Sequence, residues 1–495
     1  MHSTIHSGLS TRPTLSPCIE GYAASQTFET VSNLFVPSAQ LKEIRNLDKG
    51  TVTNSESKST LYGRKNLTSY GLLLSDGTLV EAIYDETKRP SLSFLVAPPD
   101  GPTSEANSFT DRGEVFSPPT GDVDVISGGT VTLASGVADY GTPALLIEEL
   151  YKYLRRSVDL EQFQLKLMAN WTLMTYAYDA WDAVPYLRFK GEPGTGKTRC
   201  LAMLQLLCYR ATDLGVGPSK SALFRTSDRV RGTMLIDEAD YEGDLRSDLI
   251  QLLNAGYKKN GTMTISSPHG DDWKAKPYRV GGPKALANRE DFPDRATETR
   301  CVTIHTVQKP LAPHIPTRLP PSFMADAAVI RKKLLQWRID NARSLPSLEG
   351  ELSCLEARAR EICLPLYSCS PDPDFRQELL QWFKCHTMEL RHEEPSRIVL
   401  ESIIACRPKD QEAIPVARIR KNALVIAARR DLPDRHFAPK RVADLLRGLR
   451  FETKRRNDGA HFYFDAAVFE QQCKRFEISI GCRDGSDADA KSSTC

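Results

Sequence analysis

Val184-Pro-Tyr-Leu-Arg-Phe-Lys-Gly-Glu-Pro-Gly-Thr-Gly-Lys-Thr198 opens as a short apolar strand and closes as a glycine-rich loop, and Arg199 to Arg210 continues it as a helical run. Gly191, Glu192, Pro193, Gly194, Thr195, Gly196, Lys197 and Thr198 fit G-x-x-x-x-G-K-[ST], the spacing of a phosphate-binding loop. The chemistry explains the residue types. Glycines let backbone N–H groups wrap a phosphate, Lys197 sets a point charge against β- and γ-oxygens, and the Thr198 hydroxyl can ligate Mg²⁺. The helix that follows aims its positive end at the same anion. ATP and Mg²⁺ are the expected ligands.

Downstream, Arg231-Gly-Thr-Met-Leu-Ile-Asp237-Glu238-Ala-Asp240 reads as an apolar strand ending in acids. Asp237 suits the Mg²⁺ shell, and Glu238 can orient and polarise a water, which favours hydrolysis over phosphoryl transfer to a metabolite. Leu245 to Tyr257 has helical spacing. Gly261 to Ser266 then alternates like a strand, Pro268 to Lys274 turns, and Lys276 to Val280 returns. His269 and Lys274 at the tip are candidate contacts to nucleic-acid phosphates, with a solvated turn as the alternative. Gly282 to Asn288 is a strand whose terminal amide can hold the attacking water or the γ-phosphate. Two arginines precede the next strand. Arg300 is expected to act in trans on the charge developing on the phosphoryl group, with Arg295 second and an ordinary ion pair the alternative for each.

This order of loop, Asp-Glu strand, helix, hairpin, Asn strand and Arg resembles the AAA+ ATPases. Within them it looks most like the helicase-type proteins of phages, plasmids and other mobile elements. Gly191–Thr198, Leu235–Asp240, Asn288 and Glu298-Thr-Arg300-Cys301 carry the resemblance, which covers about a third of the chain. It implies a homo-oligomeric ring, often a hexamer, with ATP sites between subunits and the hairpin facing a central channel. A second sensor arginine has no clear place; Arg331 and Arg338 are candidates.

The expected fold is multidomain α/β. Residues 1–58, rich in Ser, Thr, Gly and Pro, read as a disordered or poorly packed leader. Residues 59–140 read as a small β-rich domain, with a Ser-Asp-Gly-Thr turn inside Tyr70 to Tyr84 and a loop across the Pro/Gly-rich Ala97–Pro119. A helical segment, 141–182, leads into the P-loop ATPase core at 183–322. A helical lid and connector follow at 323–395, then a winged-helix-like domain at 396–478 and a disordered tail at 479–495. Residues 407–475 hold 17 Lys/Arg against 9 Asp/Glu in a 495-residue chain of net charge only +2. Lys440, Arg441 and Arg447 fall on the exposed face of a predicted third helix, and Lys454, Arg455 and Arg456 fall on the wing, which suits DNA backbone contact.

No run of 18 apolar residues predicts a membrane span, and no basic-then-apolar segment opens the chain. The 12 cysteines lack C-x-x-C pairs, so free thiols in a cytoplasmic protein are expected. The leading expectation is an ATP-hydrolysing motor acting on DNA, a helicase or translocase of a mobile element. The alternatives are an ATP-switched winged-helix regulator, and an ATPase acting on protein partners in phage defence or transposition control.

Overall fold

The computed structural model describes residues 66–478, except 216, 241–242, 270–271, 293, 407, 411, 431 and 433; at 66, 243–244, 266–269, 272–274 and 435 it describes the backbone alone. The expected leader and tail lie outside the described residues. Two compact units divide at Leu133, rather than near residue 140.

The first unit is β-rich. Its strands are β1 (Asn66–Thr68), β2 (Gly71–Leu73), β3 (Leu79–Tyr84), β4 (Leu92–Ala97), β5 (Ser104–Ala106), β6 (Phe109–Asp111) and β7 (Glu114–Ser117), followed by α1 (Val123–Ser127) and β8 (Val131–Thr132). Strands β2-β3-β4-β5 form an antiparallel sheet, and β1-β7-β6 form a second. The Ser-Asp-Gly-Thr turn forms as its residues dictate, with Asp76 Oδ1 accepting from Thr78 N at 2.8 Å and Gly77 at φ 87°. Three strands occupy the segment read as a loop. They were hidden because each spans only three or four residues, and β6 and β7 join through Arg112 and Gly113, both at positive φ (49° and 83°). That is the tight hairpin turn whose residues mimic a loop in sequence.

The second unit begins with α2 (Pro143–Arg155) and α3 (Gln162–Thr175). The core elements follow: β9 (Tyr186–Lys190), α4 (Lys197–Leu207), β10 (Ala211–Asp213), α5 (Lys220–Val230), β11 (Met234–Ile236) and α6 (Gly243–Gly256). Next come the hairpin β12 (Thr262–His269) and β13 (Asp272–Arg279), then β14 (Lys284–Asn288), α7 (Arg295–Glu298) and β15 (Cys301–His305). Strands β15, β9, β14, β11 and β10 lie side by side in that order, all parallel. Their near-continuous burial fits the wholly apolar β11, whereas β9 and β14 also carry the buried polar residues Arg188, Lys284 and Asn288. The hairpin is longer than its sequence suggested, because Pro268 and Pro277 sit inside its strands. A two-stranded ribbon has only edges, so proline costs it little.

Helices α8 (Ser322–Asn341), α9 (Ala357–Cys369) and α10 (Pro373–His392) complete the body. Arg331 Nη1 donates to Leu206 O at 2.6 Å, at the end of α4 remote from the glycine-rich loop. Arg338 forks onto Asp179 at 2.8 and 2.7 Å and stacks over Tyr209. Both candidate sensor arginines are therefore committed to core packing. The basic segment follows as α11 (Pro395–Cys406), β16 (Ala413–Pro415), α12 (Val416–Ala428), α13 (Pro439–Gly448), β17 (Glu452–Arg456), β18 (Gly459–Tyr463) and α14 (Ala466–Arg475). Ile403, Ile419, Val442, Leu446 and Phe462 form its core. Strand β16, too short to read in the sequence, joins the hairpin as a third antiparallel strand.

One buried cation was not foreseen. Lys284 opens β14 and is 1% exposed. Its amine donates to Gly256 O, Val280 O and Gly282 O at 3.3, 2.8 and 3.0 Å, and it lies 5.2 Å from the Tyr186 ring centroid. It thus ties the end of α6 and the exit of the hairpin to the sheet. Burial pulls its pKa from 10.5 down to about 7. In that interval the unfolded chain holds the extra proton, so Lys284 makes stability rise with pH from about 7 to 10.5, by at most ~1.4 kcal/mol per unit. Urea midpoints of Lys284→Met measured between pH 7 and 9.5 should rise less steeply than those of the wild type; equal slopes would refute the role.

Candidate functional site

In a parallel sheet the carboxyl ends of all strands share one edge, where ligands are bound. Strand β9 ends at Lys190 and runs into the loop Gly191–Thr198. Gly194 and Gly196 have φ of 80° and 91°, a region that side chains avoid. A Cβ on Gly191 would collide with Thr306 O and Oγ1. The Thr195 hydroxyl lies 2.7 Å from that of Thr306 and donates to Glu192 O at 2.8 Å, so the residue after β15 braces the loop. Lys197 begins α4, and its amine donates to Gly191 O and Glu192 O at 2.6 and 2.8 Å. Burial lowers its pKa, and the nearby charge of Arg289 lowers it further, against Asp237 and Asp240. Thr198, in the first turn of α4, is exposed.

Strand β11 delivers Asp237 and Glu238 to the same edge. Glu238 N donates to Asp237 Oδ1 at 2.9 Å, and Glu238 holds φ 49°. A non-glycine residue in that region stores strain, a frequent mark of functional sites. Asp240, two residues on, accepts from Arg289 N at 2.8 Å and Glu290 N at 3.3 Å.

Strand β14 lies between the loop strand and the acidic strand, with Asn288 paired in register to Lys190. Asn288 is 2% exposed. Its Nδ2 donates to Glu290 O at 2.8 Å, whereas Oδ1 is buried with no hydrogen-bond partner. Reversing the amide would set two oxygens against each other, so this orientation is dictated by the network. Asn288 consequently keeps an unpartnered acceptor that is shielded from solvent.

The structure brings together the loop, Lys197, Asp237, Glu238 and Asn288. It does not bring Arg300 to a surface. Arg300, expected to reach across a subunit interface, is 7% exposed in its own chain. Its guanidinium stacks 4.3 Å from the Tyr257 ring centroid and donates from Nη1 to Asn254 Oδ1. Sequence spacing places an arginine ahead of a strand but cannot say which way its side chain points. Arg295 donates to Leu390 O at 2.6 Å and pairs with Glu394 at 3.4 Å. Among the described residues no group of three or more His, Cys, Asp or Glu is arranged to hold a metal ion.

In the basic segment, Lys440, Arg441 and Arg447 are exposed on α13, and Lys454, Arg455 and Arg456 are exposed on β17. Some of these charges are answered internally: Arg447 pairs with Asp444, and Lys454 with Glu452 at 2.8 Å. Lys454 and Arg456 both lie against the Tyr463 ring. His269 and Lys274 pair in the hairpin ladder with Asp272 and Ser267, but their side chains lie outside the described ones. Among the described residues no helix is long and apolar enough to cross a membrane.

No family model matches the chain, and no curated protein matches it. Solved structures do. The A form apo structure of the NrS-1 C-terminal region aligns at 9% identity over 78% of this chain and 96% of that one, with a TM-score of 0.31. An apo structure of the same region aligns at 9% identity over 78% and 95%, also at 0.31. So loose a likeness adds nothing to what the residues say.

If Arg300 is a packing residue, Arg300→Ala should destabilise the ligand-free protein by about 1–3 kcal/mol, through the lost ring contact and the lost charged hydrogen bond to Asn254, whose Oδ1 keeps Thr297 as donor. Chemical denaturation checks this; an unchanged midpoint would return Arg300 to the surface.

Proposed function

We propose that this protein is an ATP-hydrolysing AAA+-type motor that acts on DNA as a homo-oligomeric ring, a helicase or translocase of a mobile element. The observation that supports hydrolysis is the convergence of Lys197, Asp237, Glu238 and Asn288 on one sheet edge, with the Asn288 carbonyl free to accept. In this reading the loop amides and Lys197 bind the triphosphate, while Thr198 and Asp237 would hold Mg²⁺, which would supply positive charge against the phosphates. Asn288 Oδ1 accepts one O–H of the attacking water, and Glu238 takes the other proton. The water oxygen bonds to the γ-phosphorus as the bridge to ADP breaks. The exposed cations of α13 and β17 support DNA as partner, because a helix flanked by a basic wing can follow the phosphate backbone.

Burial of Arg300 favours a second reading, an ATP-switched DNA-binding regulator that turns over slowly. ATP hydrolysis without nucleic acid, with single-stranded DNA and with duplex DNA, over a salt series, separates the two. The motor predicts turnover stimulated by DNA, fading as salt rises, and reduced about 10²-fold or more in Lys197→Ala. Turnover indifferent to DNA would point to protein partners, tight ATP binding with negligible turnover to the switch, and full turnover in Lys197→Ala would sink the site itself.

A further inference from the structure

The turn that leaves β14 is held at every residue. Asn288 is in register with Lys190 and bonds to Glu290 O, and Asp240 accepts from the backbone N–H groups of Arg289 and Glu290. Asp291 then takes Lys190 Nζ at 2.5 Å. Within this fixed frame the Arg289 side chain is exposed, and no carboxylate among the described residues pairs with it. Asn288, the residue before it, pairs in register with Lys190, where β9 enters the glycine-rich loop, so Arg289 leaves the strand at the mouth of the loop that carries Lys197. Placing two positive groups together at the mouth of an anion-binding loop is unfavourable until a polyanion arrives.

The neighbouring amide sharpens the point. Asn288 is 2% exposed and gives one amide hydrogen to Glu290 O, so the side chain that ends β14 is shielded from solvent. The exposed donor at this end of the strand is the next residue, Arg289. A guanidinium supplies a planar fork that matches two phosphate oxygens, which an ammonium cannot.

We propose that Arg289 is a phosphate-contacting residue that grips the γ-phosphate opposite Lys197 and so distinguishes a nucleoside triphosphate from a diphosphate. This rests on the nucleotide-site reading above. Asn288 positions the water, and Arg289, one residue on, holds the group under attack.

The test is equilibrium binding of Mg·ATP and Mg·ADP to the full chain carrying Glu238→Gln, so that ATP survives, with and without Arg289→Ala or Arg289→Lys. Removing a charged hydrogen bond should cost ATP affinity about 10- to 100-fold. ADP affinity should change by no more than about threefold, since the β-phosphate keeps the loop and Lys197. The lysine variant should fall between, and the ligand-free melting temperature of Arg289→Ala should hold or rise as repulsion is relieved. Equal losses for ATP and ADP with a lower melting temperature would show a structural residue and overturn the proposal. Unchanged ATP affinity in Arg289→Ala would overturn it too while leaving the nucleotide site standing. If the Glu238→Gln parent binds neither nucleotide, the site reading falls and this inference with it.

Discussion

The pairing of β14 with β9 on one side and β11 on the other is the constraint on which the site depends. Because all three strands are parallel, inserting β14 between them sets Asn288 at the edge between the glycine-rich loop and Asp237. The in-register partnership of Asn288 with Lys190 is a backbone fact, fixed by the sheet and not by any one side chain. A slip of one residue would turn Asn288 to the opposite face. The same strand carries Lys284 at its other end, where its amine gathers carbonyls from α6 and the hairpin exit. One strand thus links the root of the hairpin to the edge where Lys197 waits.

Strand β14 is fully buried and its two ends are anchored by different partners. The glycines at the hairpin root add stiffness, because Cβ atoms on Gly261 or Gly281 would meet the backbone carbonyls of Ala255 and of Lys258 and Lys259. Close backbone approach of this kind leaves little room for the root to move independently.

Much of the site was legible because its chemistry constrains residue type. Backbone wrapped at positive φ requires Gly194 and Gly196, and a strand ending in acids at the shared edge announces Asp237 and Glu238. Turn chemistry likewise revealed the β2–β3 and β17–β18 hairpins. Other features were illegible for physical reasons. Arg300 is a side-chain direction, and nothing in Glu298-Thr-Arg300-Cys301 encodes the Tyr257 ring that receives it. Lys284 sits in a strand whose pattern is apolar, and a lysine with three carbonyl partners cannot be told from a surface lysine until the turn at Gly282 closes. The strands β5, β6, β7 and β16 are too short for periodicity to register. Arg289 went unremarked because its place beside the glycine-rich loop is set by the register of β14 with β9 and not by its own residue type.

The most direct measurement is a structure of the full chain with Mg²⁺ and a non-hydrolysable ATP analogue. The account predicts a triphosphate wrapped by Gly191–Thr198, with Lys197 Nζ swung from its two carbonyls onto the β- and γ-oxygens and an ordered water on Asn288 Oδ1. An analogue bound elsewhere, or a loop left unchanged at saturating ligand with Lys197 still on Gly191 and Glu192, would contradict it.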